Sequence, residues 1–213
     1  LKSYTMPSVE ETLELLRRRH PQYLFQSRVL GMEMSAVPSR LIRKHYKPEE
    51  ALRELYFSKA VLDPLESTVV ELTSMLAKAG RVNVDQLGIT GSILTNIHNP
   101  SFSDIDLTVY GRISSLKLRT ALEGLFQDGV ATPFEGGFLE NWAKEKAGRV
   151  PLSPQEIKLL YQRKRDRGFY HQIMFSIHPV KLEEEVVERY GDRWFHPSRL
   201  ATIKAKCVDS RDS

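Results

Sequence analysis

Two aspartates one residue apart, Asp104 and Asp106, stand in the run "SDIDLTVYG" (103–111), and a glycine-serine pair, Gly91 and Ser92, precedes them with eleven residues between Ser92 and Asp104. In a strand, successive side chains alternate between faces. Asp104 and Asp106 therefore project to one side, while Ile105, Leu107 and Val109 project to the other and anchor the strand in a core. Adjacent like charges are unfavourable unless a cation lies between them, and Mg²⁺ takes hard oxygen ligands of this kind together with substrate phosphates. Gly91 lets a phosphate approach the backbone, and Ser92 offers a hydroxyl where a helix begins and free N–H groups attract anions. Each piece has a plainer reading, since glycine-serine is common and Asp-x-Asp on a strand is often only solvated charge. The ordered succession of strand, glycine-serine, helical turn, aspartate strand and closing Gly111 is what points to a triphosphate held between phosphate pocket and metal.

The surrounding elements must bring these groups together. "QLGIT" (86–90) reads as a short strand entering the pair, residues 91–97 as a helical turn or two, and 103–111 as a second strand. Upstream, Ser8 and Glu11 form a capping-box pattern for a first helix, and 23–37 reads as two strands around Gly31, closed by Pro38. Pro48 opens a short helix, and Asp63, Pro64 and Glu66 announce a longer one that ends at Gly80. Downstream, Ser114 is expected to cap a helix, "DGVATPFEGGF" (128–138) reads as irregular, 141–147 as a charged helix, and Ser153 as the start of another. "GFYHQIMFSIHPV" (168–180) reads as one strand, "LEEEVVERYGDRWF" (182–195) as a helix and exit, and "ATIKAKCV" (201–208) as strand-like. The fold class expected is mixed α/β (α+β), with residues 1–60 as a helical and hairpin accessory segment and 61–213 as the domain carrying the site.

With 213 residues, 41% hydrophobic and 27% charged, the composition is that of an ordinary soluble protein. No apolar run approaches the roughly 18 residues needed to cross a bilayer, and no charged and then apolar leader opens the chain, so no membrane contact and a cytoplasmic location are expected. The single cysteine, Cys207, makes neither an internal disulfide nor a zinc motif. The chain opens at Leu1 and closes on the polar "CVDSRDS", so a longer native chain is expected. A net charge of +4 is mild, but the basic residues cluster at 17–20, 40–46 and 162–167, which suits polyanions such as nucleotide phosphates or RNA as well as plain solvated surface.

The stretch "GSILTNIHNPSFSDIDLTVYG" (91–111) resembles the signature of the polymerase-beta nucleotidyltransferase superfamily, and the form "SDIDL" ending in "VYG" is most similar to its stand-alone, often archaeal, members. The signature covers about 24 residues and the implied fold about 61–180. The resemblance implies a nucleotidyltransferase fold, a mixed sheet flanked by helices. It also implies Mg²⁺ or Mn²⁺ on Asp104 and Asp106, and a nucleoside triphosphate (NTP) held through Gly91, Ser92 and Ser103, with transfer of a nucleoside monophosphate to a hydroxyl and release of pyrophosphate. The acceptor implied ranges from an RNA end to a protein side chain or a small molecule.

One part of the family's pattern is missing. Active members usually carry a third carboxylate on a neighbouring strand, and 168–180 contains neither aspartate nor glutamate. Alternation places Tyr170, Gln172, Met174, Ser176 and His178 on one face of that strand, so Ser176 or His178 takes the place of the acid. His178 is then either a general base, imidazoles titrating near neutrality, or a structural strand-end histidine. Three alternatives stay open: the acid comes from Glu183, Glu184, Glu185 or Asp209, the site works with one metal, or it binds nucleotide without turnover. Asn96, His98 and Asn99 lie in the loop before the aspartates, as triphosphate contacts or as turn formers. Arg163, Lys164, Arg165 and Arg167 are candidates for a phosphate or RNA backbone, with Trp142 and Tyr161 as stacking surfaces or core.

Overall fold

The structure, a computed structural model, describes residues 6–199, 201–206 and 208. It divides the chain into two units, residues 1–42 with 188–213, and residues 43–187. In the first unit, α1 (Met6–Arg19) precedes an antiparallel hairpin of β1 (Leu24–Ser27) and β2 (Met32–Ser35), as the pattern around Gly31 requires. Ser8 lies inside α1, its carbonyl accepting from the Thr12 hydroxyl at 2.7 Å, so it is not the cap. The late chain joins this unit. The Phe195 N–H donates to Val29 O at 2.7 Å, and the buried Ser27 hydroxyl meets Tyr190 Oη at 2.7 Å. The division at residue 60 is thereby replaced by one at 42/43, and 188–213 leave the domain that carries the sheet.

The second unit begins with α2 (Pro48–Tyr56) and α3 (Pro64–Gly80). Asp63 caps α3 by accepting from the Glu66 N–H at 2.8 Å, while Glu66 accepts from the Asp63 N–H at 3.0 Å. There follow β3 (Leu87–Ile89), the single turn α4 (Gly91–Leu94), β4 (Ile105–Tyr110), α5 (Arg112–Gln127), β5 (Thr132–Pro133), α6 (Gly136–Ala147), α7 (Pro154–Lys164), β6 (Arg167–Tyr170) and β7 (Ile173–Val180). The five strands form one mixed sheet in the order β3-β4-β7-β6-β5. Only β4 and β7 run parallel. This is the mixed α/β (α+β) class expected.

Five local expectations change. The span 168–180 is a hairpin rather than one strand, because His171 and Gln172 adopt φ of +46° and +65°, the left-handed pair of a two-residue turn that joins β6 to β7. Ser114 lies buried within α5 and donates to Gln86 Oε1 at 3.0 Å; Gly111 holds the cap position. The irregular stretch contributes β5 and the start of α6. Residues 182–195 hold one short turn, Glu183–Glu185, and 201–206 no strand, for their apolar side chains (Val187, Tyr190, Trp194, Ile203) lie exposed with no face to bury. Cys207 and Asp209 fall outside the described residues.

The sheet's two faces differ. Leu87, Ile89, Ile105, Leu107, Val109, Phe175 and Ile177 are buried on one, in a single apolar cluster with Leu72 and Leu76 of α3 and Leu118 and Leu122 of α5. On the other, α2 comes so close to β3 that a Cβ on Gly88 would stand 2.7 Å from Pro48 Cβ. At the opposite end Phe134, Trp142, Tyr161, Phe169 and Met174 build a second cluster under α6 and α7. The middle strip of β4 and β7 lies between these two covers.

Candidate functional site

Register brings the polar residues together on that strip. Asp106 of β4 pairs with Ser176 of β7, which on its other side pairs with Arg167 of β6. Paired residues share a face, and the contacts agree: Ser176 Oγ donates to Asp106 Oδ1 at 2.6 Å and lies 2.8 Å from His178 Nε2. Since the hydroxyl proton goes to Asp106, the imidazole must be the donor in the second bond. That puts a proton on Nε2, so in the neutral ring Nδ1 is the atom able to accept one. Gly91 closes the other side of the carboxylate. Its φ is +67°, and a Cβ there would stand 2.6 Å from Asp106 Oδ2, so both conformation and space demand glycine. The Thr90 N–H donates to Asp106 O at 2.8 Å and ties the turn to the strand.

Electrostatics separates the two aspartates. His178, followed by Ser176, holds the Asp106 carboxyl below the usual range, against the burial that would raise it, and Arg167 adds to the lowering. At 3.8 Å from Asp106 Oδ1 the imidazole is too far for a direct hydrogen bond, so it acts through the Ser176 hydroxyl that both groups share. Asp104, just before β4, is pushed the other way, first by burial and then by the charge of Asp106. A divalent cation between the two carboxylates would relieve that repulsion.

Asp104, Asp106, Gly91, Ser92 and His178 thus belong to one region. Ser92 Oγ makes no hydrogen bond among the described residues, whereas Ser103 Oγ accepts from the Asn99 N–H at 2.9 Å and serves the loop. Because α4 has four residues, its dipole is small; backbone proximity at Gly91 is the stronger argument for phosphate. The loop residues divide as turn formers: Asn96 has φ +54°, Asn99 Oδ1 accepts from the Ser101 N–H, and the buried His98 side chain places Nε2 2.7 Å from Asp63 Oδ2.

No histidine, cysteine, aspartate or glutamate completes a compact three-ligand group with Asp104 and Asp106 among the described residues. Glu185 is engaged elsewhere, accepting from the N–H groups of Arg112 and Leu182 at the start of α5. The group that does bring three such atoms within 4.8 Å is Asp63, Glu66 and His98. Both carboxylates already cap α3, and the 2.7 Å His98–Asp63 separation is that of a hydrogen bond, so the group acts as a latch between loop and helix.

Arg167 is the site neighbour that sequence only half showed. It was one of four cations within five residues, but Arg163 and Arg165 lie toward α5, where the Arg163 carbonyl accepts from Arg119 and Arg165 pairs with Glu123 at 3.9 Å. Tyr161 and Trp142 belong to the second aromatic cluster, so neither ring is free on both faces for stacking.

Comparison with known proteins adds one relative. The chain is 26% identical over 196 residues to an uncharacterized protein of Methanocaldococcus jannaschii, a match that covers 92% of this chain and 57% of that protein. No family model and no solved structure matches the chain. Among the described residues, no helix is long and apolar enough to cross a membrane.

Proposed function

We propose that this protein is a metal-dependent nucleotidyltransferase that moves a nucleoside monophosphate from an NTP to a hydroxyl and releases pyrophosphate. The observation that carries the reading is Asp106 itself, packed on Oδ2 against Gly91, bonded on Oδ1 by Ser176, and charged beside a second carboxylate whose ionisation it opposes. Such a pair suits one Mg²⁺ or Mn²⁺, with hard oxygens and two negative charges. Among the described residues no further carboxylate joins the pair, and the β7 residue in register with Asp106 is the neutral Ser176. When bound, the cation would offset charge on the triphosphate and on the departing pyrophosphate.

The chain's own groups have distinct tasks. Gly91 and Ser92 border Asp106 on the β3 side and would take the outer phosphates. The acceptor oxygen forms a bond to the α-phosphorus as the α–β phosphoanhydride bond breaks and pyrophosphate leaves. The acceptor's proton goes to His178 Nδ1, the free nitrogen of the donor-form imidazole. Ser176 holds both Asp106 and His178 in place.

Release of pyrophosphate from each NTP with Mg²⁺ or Mn²⁺, in wild type and in Asp104→Ala and Asp106→Ala, tests this reading. Release that depends on metal and on both aspartates is expected. If nucleotide binds with metal but no acceptor ever yields pyrophosphate, the protein is a nucleotide-binding module that keeps the site and not the reaction, a reading favoured by the neutral Ser176.

A further inference from the structure

The order of strands ranks the polar groups of the open face. From β3 to β6 it runs Gly91 and Ser92, then Asp106, then Ser176, then Arg167. If the outer phosphates lie beside Gly91 and the reacting phosphorus at Asp106, what remains on the far side is the place of the acceptor. Arg167 stands there.

Its position is set by three separate contacts. The Tyr161 hydroxyl, itself buried, donates to Arg167 O at 3.1 Å and accepts from the Phe134 N–H at 2.6 Å, which ties the start of β6 to the aromatic cluster. The guanidinium carbon lies 5.4 Å from the centre of the Trp142 ring, a cation–π distance. Asp166 Oδ1 accepts from Arg167 Nε at 3.0 Å, and neither Nη atom has a hydrogen-bond partner among the described residues. Lys146 Nζ lies 5.9 Å from the same ring and adds a second positive charge. An arginine fixed at stem, ring and backbone, with its two terminal nitrogens open, is built to take the two free oxygens of a phosphate through paired N–H···O bonds.

On the reading above, we propose that Arg167 is the acceptor's phosphate contact, and that the acceptor is a polynucleotide end: single-stranded RNA whose last phosphodiester meets Arg167 and whose terminal hydroxyl lies at Asp106. A second cation at Lys146, one side chain further from the reacting centre, follows a chain of phosphates better than it does an isolated small molecule.

The test is fluorescence anisotropy of a short labelled single-stranded RNA against the full chain over a series of salt concentrations, without NTP, for wild type, Arg167→Gln and Arg167→Lys. Arg167→Gln keeps the stem and loses the charge. It is expected to weaken binding roughly ten- to hundredfold, the range for a charge-assisted contact, and to lower the slope of log K against log salt by about one. Arg167→Lys keeps the slope and loses part of the affinity. Equal affinity and slope in wild type and Arg167→Gln would overturn the assignment, as would a wild-type chain that binds metal and NTP but no RNA. Loss of NTP binding in Arg167→Gln with RNA binding intact would also overturn it, by moving Arg167 to the donor side. RNA binding that depends on Arg167 in a chain that releases no pyrophosphate would uphold the assignment and defeat the transferase reading instead.

Discussion

Strands β4 and β7 lie side by side and parallel, in register from Ile105 opposite Phe175 to Tyr110 opposite Val180, yet they are alike on one face only. On the closed face Ile105 and Leu107 match Phe175 and Ile177, all buried in one core. On the open face Asp106 meets Ser176 and Thr108 meets His178, so one strand carries the charge while its neighbour carries only neutral partners that orient it. The difference teaches that two paired strands can share a core on one face and divide their polar roles on the other. β4 brings the carboxylate, and β7 brings the hydroxyl and the imidazole that hold it.

The comparison breaks most sharply at Asp106. Asp106→Ala is expected to lower metal-dependent pyrophosphate release by at least about 10²–10³-fold, the scale for loss of one preorganised charge at a reacting centre, with little change in melting temperature. An unchanged rate would show that the charged strand does no chemistry. On the closed face, Phe175→Ala should cost about 3–5 kcal/mol in denaturant unfolding, since a fully buried ring is lost from a packed core. The metal requirement of any folded fraction should stay as in wild type.

Ser176→Ala tests the orienting strand. Asp106 and His178 remain but lose their bridge, and metal affinity measured by titration calorimetry should fall roughly 10–100-fold, as for other partners of metal ligands. An undiminished affinity would mean that the neutral strand is a bystander.

The smallest effect expected lies outside the pair of strands, at the Asp63 latch. Burial, the largest single influence on Asp63, raises its pKa, but the Glu66 N–H and His98 together outweigh it and leave the carboxyl lowered. A depressed carboxyl contributes stability that is present above its unfolded-state pKa and lost as pH falls through the folded one. Asp63→Ala should therefore cost about 1 kcal/mol at neutral pH, and the gap to wild type should close on acidification below the ordinary aspartate range, as read by urea unfolding.

Much of the Asp106 side was legible because it is local. The alternation of Ile105, Leu107 and Val109 against Asp106, the glycine before Ser92 and the cap at Asp63 are each written within a few residues, and they stand so in the structure, with Asp104 one residue ahead of the strand. The Arg167 side was not, because it depends on a turn that sequence conceals. His171 and Gln172 are not the Asn-Gly or Asp-Gly pair that announces a two-residue hairpin turn, so 168–180 read as one strand, and the fold-back that sets Arg167 opposite Ser176 stayed hidden. Ser176 and His178 were read onto one face correctly, since alternation within β7 survives the error. The unit boundary was missed for a longer-range reason: residues 188–199 find their partners at Ser27 and Val29, about 160 residues earlier.

The central claim is that Asp104 and Asp106 hold a single cation with the nucleotide. Titration of Mn²⁺ into the chain with a non-hydrolysable NTP analogue, followed by electron paramagnetic resonance of free Mn²⁺, measures it directly. The account predicts one bound Mn²⁺ per chain that disappears in Asp106→Ala. No bound Mn²⁺ in wild type, or the same stoichiometry in the variant, would contradict it.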